Sequence, residues 1–420
     1  MFKKSLTTLL IGLLVIGGLA ALGFAQDGKV DIAVTWSGEE LEAFRKTIEI
    51  FEEESGIDVT VESVGRDIAT VLVTRVEAGN PPDVAAIPNP GQMQEFVNKE
   101  ALVGLDEAIV ENHPTAFVDL GTVKDELYGI FLSADLKSLV WYNPKNFEAK
   151  GYEVPETWNE LIDLSDQIVA DGGTPWCIGL ESGAASGWPG TDWIEDIMLR
   201  TAGPEMYDAW VNHEIDWTDA VVHRAWEKFG EVVKDPDYVF GGTTGALTIP
   251  FGDSPAGLFT DPPRCYMHRQ ATFIQSFIKD QYPDLAAGED YDVFVLPSID
   301  KEHGTPLLGA GDLVSAFNDT EEAHELMEFL ASAEAQEVWV KELGKLAVNG
   351  NVSSEVYPDP ITAKAAEILS EAEVFRFDGS DLMPAAVGSG TFWTGFMDYV
   401  SGKDLTRVLK DIEKSADEAY

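Results

Sequence analysis

The sequence predicts an α/β protein of two lobes, each a sheet flanked by helices. Strand and helix patterns alternate along the chain, which is the order that gives an α/β fold. The alternation starts afresh near Leu139, as a second sheet would require. A chain of 420 residues is also too long to close around one small core.

Residues 1–25 read as a signal peptide rather than as part of that fold. Lys3 and Lys4 precede an apolar run from Leu9 to Leu22, and small residues end at Ala25. This order marks a secretory leader cleaved between Ala25 and Gln26. A retained membrane anchor is the competing reading, disfavoured by Gly17-Gly18 and the small-residue end. Gln26 stands where a lipid anchor needs cysteine, and no later apolar stretch is long enough to span a bilayer. The processed chain is expected to be periplasmic or secreted, and not membrane-embedded.

The first strand is expected where Val30, Ile32 and Val34 alternate with Asp31, Ala33 and Thr35. Ser37 and Glu40 have the spacing of a capping box, and Leu41, Phe44, Ile48 and Phe51 then recur at helical spacing until Gly56. A second strand follows over Ile57–Val64, so this strand–helix–strand unit should pair in parallel. A helix near Ile68–Ala78, a break at Pro81-Pro82 and a buried strand at Asp83–Ile87 continue the pattern. The second region opens with the apolar strand Leu139–Tyr142, which ends at Asn143-Pro144. Thr157 and Glu160 form another capping box before a helix carrying Trp158, Leu161, Leu164 and Ile168. Late in the chain, Asp312–Phe317 reads as a strand and Thr320–Leu330 as a helix that Thr320 can cap.

Acidic residues number 74 against 28 basic ones. Such a polyanion repels nucleic acid and anionic membranes, and argues against a strongly anionic ligand. The acids are spread along the whole chain, so solubility is the plain reading of the charge. Cys177 and Cys265 both fall in the exported part, where an oxidising compartment permits a disulfide. The bridge is favoured because unpaired thiols are a liability outside the cell; two separate buried thiols are the alternative. The histidines are scattered, with no HExxH or CxxC spacing, so no metal site and no cofactor are expected.

Several longer segments add a resemblance: TRVEAGNPPDVAAIPNPG from Thr74, VWYNPKNFEAKGYEVPETWNELIDLSDQI from Val140, and PWCIGLESGAASGWPGTDWIEDIML from Pro175. Later come GLFTDPPRCYMHRQATFI, GAGDLVSAFND and FDGSDLMPAAVGSGTFWTGFMDYV. On these segments the chain resembles the family 1 extracellular solute-binding proteins of ABC importers, most closely their α-glucoside-binding branch. The first two segments are typical of the broad family; the third and the last carry the likeness to the branch. The resemblance implies a clamshell of the periplasmic-binding-protein type, class II. One lobe would hold Gln26–Lys137 with Ala310–Leu346, the other Ser138–Gly309 with Ala347–Tyr420. It further implies a monomer that traps a carbohydrate in the interlobe cleft and docks on the permease subunits of an importer.

Sugars present a flat apolar face fringed by hydroxyls, so a site for them needs aromatic plates with acids, amides, Lys or Arg beside them. Glu181, Trp188 and Asp192 fall together in a glycine-rich loop that lets backbone approach a ligand. Trp193, in the same stretch, reads equally well as buried structure. Trp36 follows the first strand, and Arg66 and Asp67 follow the second, at the carboxyl ends where ligands collect in α/β sheets. Asp67 also suits a helix cap. Lys137, with Asp135 beside it, and Asp312 sit near presumed crossovers, and Trp393 lies with Phe392 in the glycine-flanked GSGTFWTG. Asp83 and Trp158 are expected to be structural.

A secreted carbohydrate-active enzyme, a glycoside hydrolase, is the main rival, because acids beside tryptophans also serve glycosidases. A barrel enzyme would show many consecutive strand–helix units, and the chain has no G-x-S-x-G elbow and no P-loop. The expectation is therefore binding without catalytic residues. An extracellular chaperone or adhesin is a third reading, which would not call for a tight cluster of aromatics and acids.

Overall fold

Eleven strands organise the described residues: β1 (Lys29–Val34), β2 (Asp58–Ser63), β3 (Val84–Ile87), β4 (Thr122–Val123), β5 (Glu126–Leu127), β6 (Gly129–Leu136), β7 (Leu139–Tyr142), β8 (Met267–Arg269), β9 (Asp292–Val295), β10 (Leu307–Ala316) and β11 (Phe375–Phe377). They belong to a computed structural model that describes residues 28–87 and 89–420, with the side chain of Arg66 left out. The expected leader and its cleavage point lie outside the described residues.

β1 buries Val30, Ile32 and Val34, as its alternation requires. The helix Gly38–Ser55 lays Phe44, Ile48 and Phe51 against the sheet and ends at Gly56, whose φ of 75° is left-handed. β2 then returns parallel to β1, from Lys29↔Asp58 to Val34↔Ser63, and β3 pairs parallel with the other edge of β1. The capping box expected at Ser37 does not form. Ser37 is the N-cap, but its side chain makes no cap hydrogen bond. Gly38 enters the helix at a φ of 57°, which carries the hydroxyl off the amide it would cap. The box at Thr157 and Glu160 is complete, with both bonds present.

β10 is the seam of the six-stranded sheet. Its first residues, Leu307–Gly309, pair parallel with β11, and its last, Leu313–Ala316, pair antiparallel with β3. β6 runs antiparallel along its other side, with a break in register between Asp312 and Leu313. The predicted strand at Asp312–Phe317 is the end of this longer element. The helix expected after it is Glu321–Ala331, capped by the Thr320 hydroxyl. β7 stands between β8 and β9 in a second sheet, antiparallel on both sides. β4 and β5 make a small hairpin.

Each of the two larger sheets has its own core. Val30, Ile32, Phe44, Ile48, Val314 and Trp339 pack on the six-stranded sheet. The other core packs Trp158, Trp193, Trp226, Phe392, Phe396 and Leu409 around Val140, Met267 and Phe294. A third cluster takes side chains from both, Phe131 and Leu313 on one side, Trp141 and Val293 on the other. A disulfide joins Cys177 to Cys265, as the exported compartment suggested. No helix among the described residues is long and apolar enough to cross a membrane.

Candidate ligand-binding cleft

A cleft of about 820 Å³ opens between Ser37–Glu40, Leu343 and Lys345 on one wall and Trp188, Phe251, Phe273, Ser276, Phe277 and Asp280 on the other. The second wall is largely one face of a helix. In Ile274–Gln281, Ile274, Gln275 and Ile278 turn inward and are buried. Phe273, Ser276, Phe277 and Asp280 recur at spacings of three and four and so share the opposite face. Trp188 joins them, its ring centroid 5.1 Å from Phe251 and 5.8 Å from Phe273. The result is an aromatic wall, half-buried and edged by the Asp280 carboxylate.

Trp188 is placed by glycine. It opens the helix Trp188–Ala202 directly after Gly187, whose φ is 113°. Any Cβ at Gly187 would strike the backbone of Trp393, so only glycine lets these two segments meet. That contact brings together the two glycine-rich stretches singled out in the sequence.

The facing wall is polar and built on β1, β6 and β10. Ser37–Glu40 form the start of a helix at the carboxyl end of β1, where α/β sheets present ligand sites. Lys345 follows Gly344, the left-handed cap at φ 67° of the helix Ala333–Leu343. The next residue, Leu346, pairs with Ala134 of β6. Lys345 therefore stands beside the sheet with its ammonium 3.0 Å from Asp135, 3.3 Å from Asp312 and 3.8 Å from Glu40. Burial opposes its charge, but these carboxylates outweigh burial and raise its pKa. Asp312 is steadied in turn by the Ser133 hydroxyl at 2.5 Å and the Trp36 indole N–H at 3.1 Å. Burial disfavours its charge, yet Lys345 and these donors hold its pKa below the ordinary value.

A second charged cluster, buried and outside the cleft lining, lies against Trp188. Lys137 donates to Asp192 at 3.1 Å and to Asp378, with its ammonium 5.7 Å from the centroid of the Trp188 ring. Arg269 pairs with Asp196 at 2.9 Å and reaches Asp192 at 3.6 Å. Glu195 accepts from the amides of Gly379 and Ser380. Burial raises the Asp192 carboxyl to about 6 against the pull of Lys137 and Arg269. It also raises the Glu195 carboxyl well above the usual carboxylate range, helped by Asp378 and Asp192.

Of the residues proposed from sequence, Trp188 lines the cleft, and Asp312 supports it through Lys345. Trp36 is not a stacking plate: it is 2% exposed, packed on Phe44 and Trp339, and it orients Asp312. Lys137 and Asp192 are buried in the lower cluster. Glu181 accepts from the Gly183 amide and Trp393 packs behind Gly187; neither lines the cleft. Asp67 is exposed at an N-cap position without a side-chain cap bond and outside the cleft lining, and the Arg66 side chain is not described. Asp83 is structural, accepting from Asp31 and Asn318, as is Trp158. Sequence reasoning missed Lys345, Glu39, Glu40 and the three phenylalanines.

Residues 35–337 match the family of bacterial extracellular solute-binding proteins. The osmoprotective compounds-binding protein GgtB of Synechocystis sp. is 46% identical over 418 residues, covering 98% of each chain. The alpha-glucosides-binding periplasmic protein AglE of Rhizobium meliloti is 43% identical over 395 residues, 91% of this chain and 85% of that one. Among solved structures, a chitin oligosaccharide binding protein matches with a TM-score of 0.80 at 18% identity, over 94% of this chain and 99% of its own. RafE in complex with raffinose matches at 0.74 and 20%, over 93% and 99%. These structures bear on the fold alone, a two-lobed clamshell. With the fold, the cleft and these relatives in agreement, the chain belongs to the bacterial extracellular solute-binding protein family.

Proposed function

We propose that this protein is the extracytoplasmic solute-binding component of an ABC importer. It captures an α-glucoside-like oligosaccharide in the cleft and delivers it unchanged to the permease subunits, working as a monomer in the periplasm or secreted space. The observation that carries this reading is the pairing of walls. Trp188, Phe251, Phe273 and Phe277 offer apolar plates for sugar faces, while Ser37, Glu39, Glu40, Asp280 and Lys345 offer donors and acceptors for hydroxyls. A volume of about 820 Å³ suits an oligosaccharide, and AglE supports the α-glucoside class.

Lobes bounded near Lys137, Gly309 and Leu346 would put three crossovers side by side. The pairs Leu136↔Gly309 and Ala134↔Leu346 support that division. Ligand would settle on one wall and closure would bring up the other. A wrong epimer would leave buried polar groups without partners, which is the source of discrimination. The acids of the lower cluster whose pKa burial raises, Asp192, Glu195 and Asp381, do not line the cleft, so none is placed to act as a glycosidase acid there. That supports binding without chemistry.

A second reading, capture of an osmoprotective solute, is favoured by the 46% identity to GgtB. One experiment separates the two. Thermal unfolding of the processed protein would be followed with maltose, trehalose, sucrose, palatinose, maltodextrins and neutral monosaccharides. A ligand at a hundredfold excess over its Kd adds about 2.7 kcal/mol to the native state. Stabilisation by an α-glucoside recovered intact supports the proposal. Silence across the sugars with a response to non-sugar osmolytes favours the second reading, and recovery of cleaved sugar favours an enzyme.

A further inference from the structure

We propose that Gln336, which lies outside the cleft lining, is a positioning residue for ligand capture: it holds Lys345 on the polar wall while the lobes move. The inference rests on the sugar-binding reading and adds a residue to it. Gln336 sits in the helix Ala333–Leu343 and is fully buried. A buried side-chain amide has two donors and two acceptor directions to satisfy, and here all four are used. Its Oε1 accepts from the backbone amides of Val348 and Asn349, both at 2.8 Å. Its Nε2 donates to the Phe131 carbonyl at 3.2 Å and faces His113 Nε2 at the same distance. Burial lowers the His113 imidazole to about 4, so the ring is neutral near pH 7 and its Nε2 can accept. Turning the Gln336 amide over would set its N–H groups against two backbone N–H groups, so a single orientation fits.

The segment clamped in this way begins at Lys345. Leu346 exchanges both of its backbone bonds with Ala134 of β6, at 3.2 and 2.7 Å. Asn349 donates through its side chain to the Ala331 carbonyl at 2.9 Å, and the Gly350 amide donates to the Asn112 carbonyl at 2.8 Å. Each of these partners lies within residues 26–137 or 310–346, on the side of the polar wall. A few residues on, the chain is tied to the other side. Asp359 pairs with Lys279 at 2.8 Å, and Lys364 with Asp292 of β9 at 2.9 Å. Lobe movement therefore pulls on the chain between these two sets of bonds. With the Gln336 amide in place the pull stops near Gly350. Without it Val348 and Asn349 lose their acceptor, and the displacement reaches Lys345, whose ammonium has to stay beside Asp135 and Asp312 to meet a hydroxyl.

The test is a double-mutant cycle of Gln336→Met with Lys345→Met, read by calorimetry with maltose, trehalose and sucrose. Gln336→Met keeps the length of the side chain and removes its amide. Alone it should weaken the best-bound disaccharide at least about fivefold. Added to Lys345→Met it should cost less than about twofold more, because the group it positions is gone. Hydrogen exchange on the ligand-free variant should show the Val348 and Asn349 amides opening at least about tenfold faster, with the Ile32 amide of β1 unchanged. A purely structural role would instead speed exchange throughout and leave affinity within about twofold, and that result overturns the inference. So does a loss of affinity that persists in full on Lys345→Met. Where melting shows that Gln336→Met does not fold, Asn349→Ala takes its place in the cycle with the same expected signs. It removes the bond to Ala331 and leaves Gln336 intact. If the unaltered protein binds none of the three sugars, the sugar reading itself fails, and its silent titration shows this apart from any variant.

Discussion

Lys137 and Lys345 have similar immediate surroundings. Each lies beside a point where β6 meets its neighbours, each pairs with two aspartates, and each has its pKa raised by carboxylates that outweigh the opposing effect of burial. They differ in what lies beyond the pairs. Around Lys137 the partners Asp192 and Asp378 are 1% and 3% exposed, and the Trp188 ring closes the top. Around Lys345, Asp135 and Asp312 are 11% and 20% exposed, and the cleft begins there. The lysines themselves are equally buried, 8% and 9% exposed, so the contrast lies in their partners: Lys137 is a strut enclosed with its acids, while Lys345 borders the cleft beside acids that are partly open.

The strut should show the larger effect when broken. Lys137→Met strands Asp192 and Asp378 without their cation, and removing one partner of a buried ion pair costs about 3–5 kcal/mol. Urea unfolding would measure it, and a loss below about 1 kcal/mol would erase the contrast between the lysines. Next in size is a pH effect in the same cluster. Asp192 keeps its proton in the folded chain up to about pH 6, against an ordinary value of 3.8. A raised carboxyl contributes stability that is complete below its unfolded pKa and is lost as pH climbs through the folded one. Asp192→Asn cannot ionise and escapes that loss. Between pH 4 and pH 7 the stability difference should move in the variant's favour by up to roughly 3 kcal/mol. A difference that stays flat means Asp192 is ionised throughout, as an ordinary salt-bridge partner.

Lys345→Met should act on binding more than on folding. Asp312 keeps its bonds from Ser133 and Trp36, and Asp135 keeps one from Thr272, so the acids left behind retain donors. Losing a charged hydrogen bond to ligand is worth about 2 kcal/mol, near thirtyfold in Kd. Calorimetry alongside melting would separate the two effects. A stability loss as large as that of Lys137→Met, with affinity unchanged, would make both lysines struts.

This contrast also marks how far the sequence could be read. Strand alternation at Val30–Val34 and the box at Thr157 and Glu160 are local signals, and the structure keeps both. The glycine-rich loop located Trp188 because positive φ and close approach leave a mark in residue choice. Trp36, Lys137 and Asp192 have the right chemistry in the right segments, but their neighbours come from residues 276, 241 and 55 positions away. Nothing local tells whether those neighbours bury them. Phe273 and Phe277 were overlooked for the opposite reason: aromatic residues four apart on a helix look like core, and here they face the cleft. Lys345 follows a glycine cap like many surface lysines, and only its pairing with Asp135 and Asp312 distinguishes it.

The smallest effect sharpens the cleft side of the comparison. A serine N-cap usually contributes about 1 kcal/mol through its bond to a helix amide, but the Ser37 hydroxyl makes no such bond. It is exposed at the start of the helix and borders the cleft. Ser37→Ala should therefore leave the unfolding midpoint nearly unchanged while weakening sugar binding severalfold, the scale of one neutral hydrogen bond of about 1 kcal/mol. The reverse result, a lower midpoint with affinity intact, would mean that the hydroxyl caps the helix in solution. The polar wall would then reduce to Glu39, Glu40 and Lys345, and recognition would fall on charged groups alone.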